Sequence, residues 1–249
     1  MIFSTLRYGV EDGVATLTLD RPDSRNALNR TMCDDLLAAA TAARDDAAVR
    51  LLFVRATGPV FCAGADLKER AGMNDDAVRQ RRLAGFAAYK SLESLPMPVI
   101  AVVQGPAIGS GVEIVSCCDF VVATPEATFA TPEATRGTIG VTQRLPRIIG
   151  KSLAKDMMFT GRKLTAAEAQ AAGLVTKVVD AAALDGALAD IAKTIIAAPQ
   201  AAMRQAKSCI DQGIALDLRD GLELERAAME ENVAGGAWRA GMSLGGGKL

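Results

Sequence analysis

Two glutamates combine chemistry with unusual surroundings. Glu113 lies in GPAIGSGVEI (105–114) and Glu133 in ATFATPEATRG (127–137), each beside Gly- or Pro-bearing backbone. Taken alone, a glutamate is ordinarily a solvated surface charge. Two carboxylates on separate turns, one of them at a Gly-rich helix start, instead suit acid/base work on an activated carbonyl compound. The chain contains no histidine. That excludes histidine-based triads, metal sites and proton shuttles, and leaves Asp, Glu, Lys, Tyr or Cys to move protons.

The segment around Glu113 allows two readings. A buried strand, PVIAVV (98–103), runs into a glycine-bearing turn that opens a helix, which is the start of a dinucleotide site. Gly109 and Gly111 supply a G-x-G, but Ile114 stands where a third glycine belongs, and Glu113 in the first turn would repel a pyrophosphate. An oxyanion fits better. Free N–H groups at the helix start can stabilise charge developing on one carbonyl oxygen, with Glu113 flanking the reacting carbons. A second N–H donor can come from the other glycine-bearing loop, FCAGADLKE (61–69).

The elements that must position these groups follow from periodicity. Residues 5–10 and 13–19 alternate as a hairpin, and a helix runs over 31–46 with Met32, Leu36, Ala39, Ala40 and Ala43 on one face. Residues 50–56 form a buried strand, 75–94 a long helix, 110–118 a short helix and 119–124 another strand. Arg79, Arg81 and Arg82 lie close together on the long helix and read as a solvated face, with contact to ligand phosphates as the lesser alternative. Further helices cover 142–160, broken at Gly150, and 165–172, before a strand at 174–179. Beyond residue 180 the pattern is helical (183–197, 199–212, 216–232), ending in a Gly-rich stretch expected to fray. The fold class is therefore α/β: a core over 1–180, then a helical region over 181–249.

Composition narrows the function. The 249 residues suffice for a sizeable core, and 28 basic against 29 acidic residues give no reason to expect nucleic acid or an anionic membrane as partner. The five cysteines (33, 62, 117, 118 and 209) lack framework or metal-ligand spacing and read as reduced thiols, with no metal expected. The N-terminus has no charged-then-apolar leader, and no apolar run reaches membrane-spanning length, so a cytoplasmic protein is expected.

Five segments, in this order, resemble the enoyl-CoA hydratase/isomerase (crotonase) superfamily: RPDSRNALN (21–29), FCAGADL (61–67), QGPAIGSGVEIVSCCD (104–119), FATPE (129–133) with TQRLPRIIG (142–150), and TGRKLTAAEAQAAGLVTKVV (160–179). The resemblance implies a spiral of ββα units with a C-terminal helical region. It places the oxyanion N–H donors on Ala65 and Ser110 and the two catalytic carboxylates on Glu113 and Glu133. Glu126 sits in an identical TPEAT string, but the motif requires the glutamate four residues after Phe129, which selects Glu133. Coenzyme A would arrive as part of the substrate thioester, with no separate cofactor, and would meet Arg25, Ala63, Asp66 and Lys68. Charge-assisted contacts to its phosphates need the Arg and Lys, while Asp66 also reads as ordering its own loop. Met73, Phe86 and Tyr89 are candidates for an acyl pocket. A glutamate at both positions resembles the hydratases, which add water to a 2-enoyl-CoA. A double-bond isomerase or another acyl-CoA transformation is the alternative, and a non-catalytic or RNA-binding relative a more distant one. The resemblance also implies a homo-oligomer, a trimer or dimer of trimers, which the apolar faces of helices 183–232 fit.

Overall fold

The computed structural model describes residues 2–236 and 238–239. The tail expected to fray lies largely outside them. The chain opens with an antiparallel hairpin, β1 (Leu6–Glu11) and β2 (Val14–Leu19), turning at Asp12 and Gly13, both at positive φ. Helix α1 (Arg30–Asp45) follows, capped by Asn29, whose side chain accepts from the Met32 N–H. Its buried stripe is the one periodicity gives, with Cys33 added.

Strand β3 (Leu51–Ala56) pairs parallel with β2. After it come α2 (Leu67–Ala71), α3 (Asp75–Glu93) and β4 (Val99–Val103). Two turns of a spiral then repeat one plan. Strand β4 continues into β5 (Ala107–Ile108) and α4 (Ser110–Ser116); β6 (Phe120–Ala123) continues into β7 (Thr128–Ala130) and α5 (Arg144–Ile149). In each turn one strand joins a six-stranded sheet, β1-β2-β3-β4-β6-β9, and the next joins a three-stranded sheet, β5-β7-β8. This is the expected ββα spiral. Helix α6 (Lys151–Thr160), β8 (Lys163–Thr165), α7 (Ala166–Ala171) and β9 (Lys177–Val178) complete the core.

The central parallel strands β3, β4 and β6 are buried on both faces. Leu52, Val54, Val99, Ala101 and Val103 face α1 and the rest of the large core. Their neighbours Leu51, Phe53, Ile100 and Val102 point the other way, onto Leu184, Leu188, Ile191 and Ile195 of α8 (Leu184–Ala197). The first C-terminal helix is therefore packed into the core. The last two, α9 (Gln200–Gly213) and α10 (Leu218–Gly235), pair with each other and have no buried residue.

Three features differ from the sequence reading. The small sheet escapes it because β5, β7 and β8 have two or three residues each, too few to show alternation. The strand expected over 174–179 shrinks to Lys177–Val178, because Leu174 and Val175 instead donate to the Ala169 carbonyl and close α7. The arginines of α3 divide: Arg79 is exposed and paired with Asp76, whereas Arg81 is buried and Arg82 bonds the 138–139 loop.

Candidate active site

Three loops converge on the start of α4. The first, 21–28, is held by the buried Asn26. Its Oδ1 accepts the Arg21 N–H at 2.8 Å, and its Nδ2 donates to the carbonyls of Thr57 at 2.9 Å and Val60 at 2.8 Å. Arg25 and Asn26 both adopt left-handed φ of 52°, which Asn tolerates better than most residues. The second loop, 61–66, is strapped to the first: Ala63 N–H donates to Arg25 O (3.0 Å), Leu28 N–H to Gly64 O (2.8 Å) and Asp66 N–H to Leu28 O (3.0 Å). On its other side, Cys62 N–H donates to Pro106 O and Ile108 N–H to Cys62 O. These bonds lay the 61–66 loop alongside β5 and the turn into α4. A methyl group on Gly64 would touch the Ile108 carbonyl at 3.0 Å, so the close approach requires glycine.

This strapping leaves two N–H groups over. Among the described residues neither the Ala65 N–H nor the Ser110 N–H has an acceptor. Ala65 and Ser110 line one cavity of ≈ 90 Å³ together with Glu113 and Glu133. Two unsatisfied donors and two carboxylates facing one small space can polarise a carbonyl and move protons beside it. The cavity is also lined by Met73, Phe86 and Tyr89, the residues the sequence suggested for an acyl pocket. Burial pushes the Tyr89 phenol far above its usual pKa, with neighbouring Ser110 opposing the shift.

The two carboxylates are not equivalent. Glu113 is buried in the first turn of α4, and Glu133 follows β7 at the start of a short 3-10 turn. Each has an Oε2 that is buried without a partner, and burial raises both pKa values. For Glu113, Arg144 opposes that rise: its guanidinium lies 3.7 Å from Oε2 and is itself clamped by Glu93 at 2.7 and 2.8 Å. For Glu133, the Glu113 charge pushes the pKa up further, against weaker help from Arg136 and Arg82. The two therefore titrate as a coupled pair, with the Glu113 charge adding to the rise at Glu133. Glu126, the sequence decoy, is an exposed turn residue.

A second cavity of ≈ 270 Å³ meets the first at Ala65. Arg25, Ala63, Asp66 and Lys68 all line it. Asp66 is largely occupied: it caps α2 through the Lys68 and Glu69 N–H groups and pairs with Arg21 at 3.0 Å. Arg136 is a third cation on this cavity. Sequence reasoning passed over it, although it lies only three residues beyond Glu133. The buried cysteines near the site are poor nucleophiles. Burial pushes the Cys33 thiol up to about 11 and the Cys62 thiol up to about 12, and all five are free.

Comparison with known proteins adds a family. Residues 9–244 match the family model described as enoyl-CoA hydratase/isomerase. A mouse protein, enoyl-CoA hydratase domain-containing protein 2, mitochondrial, is 39% identical over 236 residues, covering 90% of this chain and 79% of its own. Enoyl-CoA isomerase/hydratase fer4 of Mycosarcoma maydis is 36% identical over 230 residues, covering 88% and 84%. The crystal structure of an enoyl-CoA hydratase from Bacillus anthracis superposes with a TM-score of 0.90 at 36% identity, covering 93% of this chain and 92% of that one.

Proposed function

Because the chain belongs to the enoyl-CoA hydratase/isomerase family, we propose that it adds water across the double bond of a short 2-enoyl-CoA to give the 3-hydroxyacyl-CoA. The observation that carries this reading is the pair of buried carboxylates, Glu113 and Glu133, sharing one small cavity with two unsatisfied N–H donors. The thioester oxygen accepts from Ala65 and Ser110, which stabilise the negative charge that forms there. Ionised Glu113, steadied by Arg144, takes a proton from the attacking water as its oxygen bonds to the β-carbon. Protonated Glu133 delivers a proton to the α-carbon. The thioester carbonyl then re-forms, and the atoms of one water have been added. Arg25, Lys68 and Arg136 meet the phosphates of coenzyme A in the adjoining cavity.

The cavity size favours a short acyl group: an apolar cavity of about 150 Å³ accommodates benzene, and this one measures ≈ 90 Å³. With crotonyl-CoA, the conjugated thioester absorbance should fall with time. Glu113→Gln and Glu133→Gln should each slow that loss by about 10²-fold or more. Near wild-type turnover in either variant would refute the two-carboxylate assignment. The Arg144 contact favours a second reading. If it kept Glu113 permanently ionised and idle, Glu133 alone could shuttle a proton in a double-bond isomerase. That reading expects conjugated absorbance to appear from a 3-enoyl-CoA, and Glu113→Gln to retain activity.

Assembly as a trimer or dimer of trimers belongs to the same proposal. Ile210, Ile214 and Leu218 of the α9–α10 region are exposed at 67%, 85% and 78%, apolar surface that a protomer alone leaves in water. Light scattering tests it, and a monomer at micromolar concentration would refute it.

A further inference from the structure

Glu113 keeps a free oxygen although a guanidinium group stands beside it. Arg144 lies between Glu113 and a second carboxylate, Glu93, outside the cavity. Its Nε and Nη2 donate to Glu93 Oε1 and Oε2 at 2.7 and 2.8 Å, a bidentate grip. Its Nη1 is left 3.7 Å from Glu113 Oε2, beyond hydrogen-bond reach, and that oxygen is buried without a partner. Local helix energetics do not account for the grip. Glu93 closes α3 and Arg144 opens α5, so each charge sits at the helix end whose dipole disfavours it. Stability accounts for little more, because Glu93 is half-exposed and such pairs contribute little. What the grip does is hold the cation short of Glu113. Released from Glu93, Arg144 would close on the nearest other carboxylate, which is Glu113, and occupy its oxygen.

We propose that Glu93 is a positioning residue: it restrains Arg144 so that Glu113 feels a nearby positive charge yet keeps an oxygen free for the reacting water. The inference rests on the hydratase reading above and extends it to a residue that lines neither the carboxylate cavity nor the coenzyme A cavity. Burial raises the Glu113 pKa, Arg144 opposes the rise and the Glu93 charge adds to it. The other groups facing Glu113 are the Val141 N–H, Glu133 and Tyr89, with Cys117 one turn along α4. Arg70, Arg81 and Arg82 line the same cavity. Of all these, Arg144 alone is bonded to Glu93 among the described residues.

Glu93→Gln removes a charge that raises the Glu113 pKa and frees the one that lowers it, so both changes act downward. In crotonyl-CoA hydration the acid limb of the kcat/KM profile should move down by about one pH unit. At the same time kcat should fall by about tenfold, less than loss of a general base costs, with KM unchanged. Adding Arg144→Gln should move the limb the other way, above wild type, because burial then acts on Glu113 unopposed. A merely structural Glu93 would lower the melting temperature and leave the limb in place. An unmoved limb in folded Glu93→Gln, or a double variant whose limb stays with the single one, would overturn the proposal. Carbon-13 NMR of the Glu113 carboxyl, identified by its absence in Glu113→Gln, reads the same titration without turnover. Hydration with an unmoved titration retires this inference alone. A titration that follows Glu93 in a protein that does not hydrate crotonyl-CoA retires the reaction but keeps the restraint.

Discussion

Gly109→Ala is the sharpest test of how the site is built. Gly109 has φ 53° and ψ −107°, a conformation that strains any residue with a side chain. It also packs against the second carboxylate: a Cβ there would collide with Glu133 Oε1 and lie 3.2 Å from its Cδ. The alanine therefore does two separable things. Its backbone strain costs about 1–3 kcal/mol of stability, which for a domain of this size lowers the melting temperature by roughly 2–4 °C per kcal/mol. Its methyl group also forces the Glu133 carboxyl to retreat by on the order of 1 Å, and a displacement of that size can cost about 10²-fold in rate. Such a loss raises the barrier by about 2.7 kcal/mol.

Gly161→Ala separates the two effects. Gly161 is also left-handed, at φ 71° and ψ 14°, but a Cβ there meets nothing closer than Thr135 Oγ1 at 3.8 Å. It should lose about 1 kcal/mol of stability and keep its turnover. The assay is initial-rate hydration of crotonyl-CoA at saturating substrate, paired with a thermal melt. A folded Gly109→Ala protein with wild-type kcat would refute the placement of Glu133 against the helix start, and with it the water-holding pair.

Three further outcomes follow from the same geometry. Glu133→Gln should stabilise the protein at neutral pH while abolishing turnover. The folded pKa of Glu133 is raised above 4.5, so ionising it in place costs stability as pH rises from the unfolded pKa through the folded one; the gain should be fully present above that window and vanish below about pH 4 in pH-dependent melts. Arg136→Ser should raise KM for acyl-CoA by about tenfold with kcat unchanged, from loss of one charge-assisted phosphate contact. Asn26→Ala removes three hydrogen bonds and a residue that tolerates left-handed φ; it should cost about 2–4 kcal/mol in denaturant melts and slow turnover by loosening the 61–66 loop.

Local signals carried much of the fold. The hairpin around Asp12–Gly13, the α1 stripe and the helix break at Gly150 each depend on residues near in sequence, and each lies where periodicity and turn chemistry put it. The catalytic candidates were legible for another reason: four backbone or carboxylate groups came from motifs whose order and spacing were informative, and the structure brings Ala65, Ser110, Glu113 and Glu133 to one cavity. The small sheet was not legible. Its pairing of Ala107 with Phe129 and of Phe129 with Leu164 is decided by chain segments far apart, and runs of two or three residues carry no period of their own. Neither was the role of Asn26, whose value lies in the carbonyls of Thr57 and Val60.

Arg81 marks the boundary between these cases, because its signal was present and outweighed. Charge density made 79–82 read as a solvated face. The helical period says otherwise: Arg81 falls in line with Gly85, Ala88, Tyr89 and Leu92, the residues α3 buries. A charged residue on an otherwise small or apolar stripe has to be answered by something, since burying it alone is expensive. Inside the protein the answer is one carbonyl and a carboxylate at 3.8 Å. Where periodicity and charge disagree, then, periodicity locates the side chain, and here a backbone carbonyl and a nearby carboxylate answer its charge.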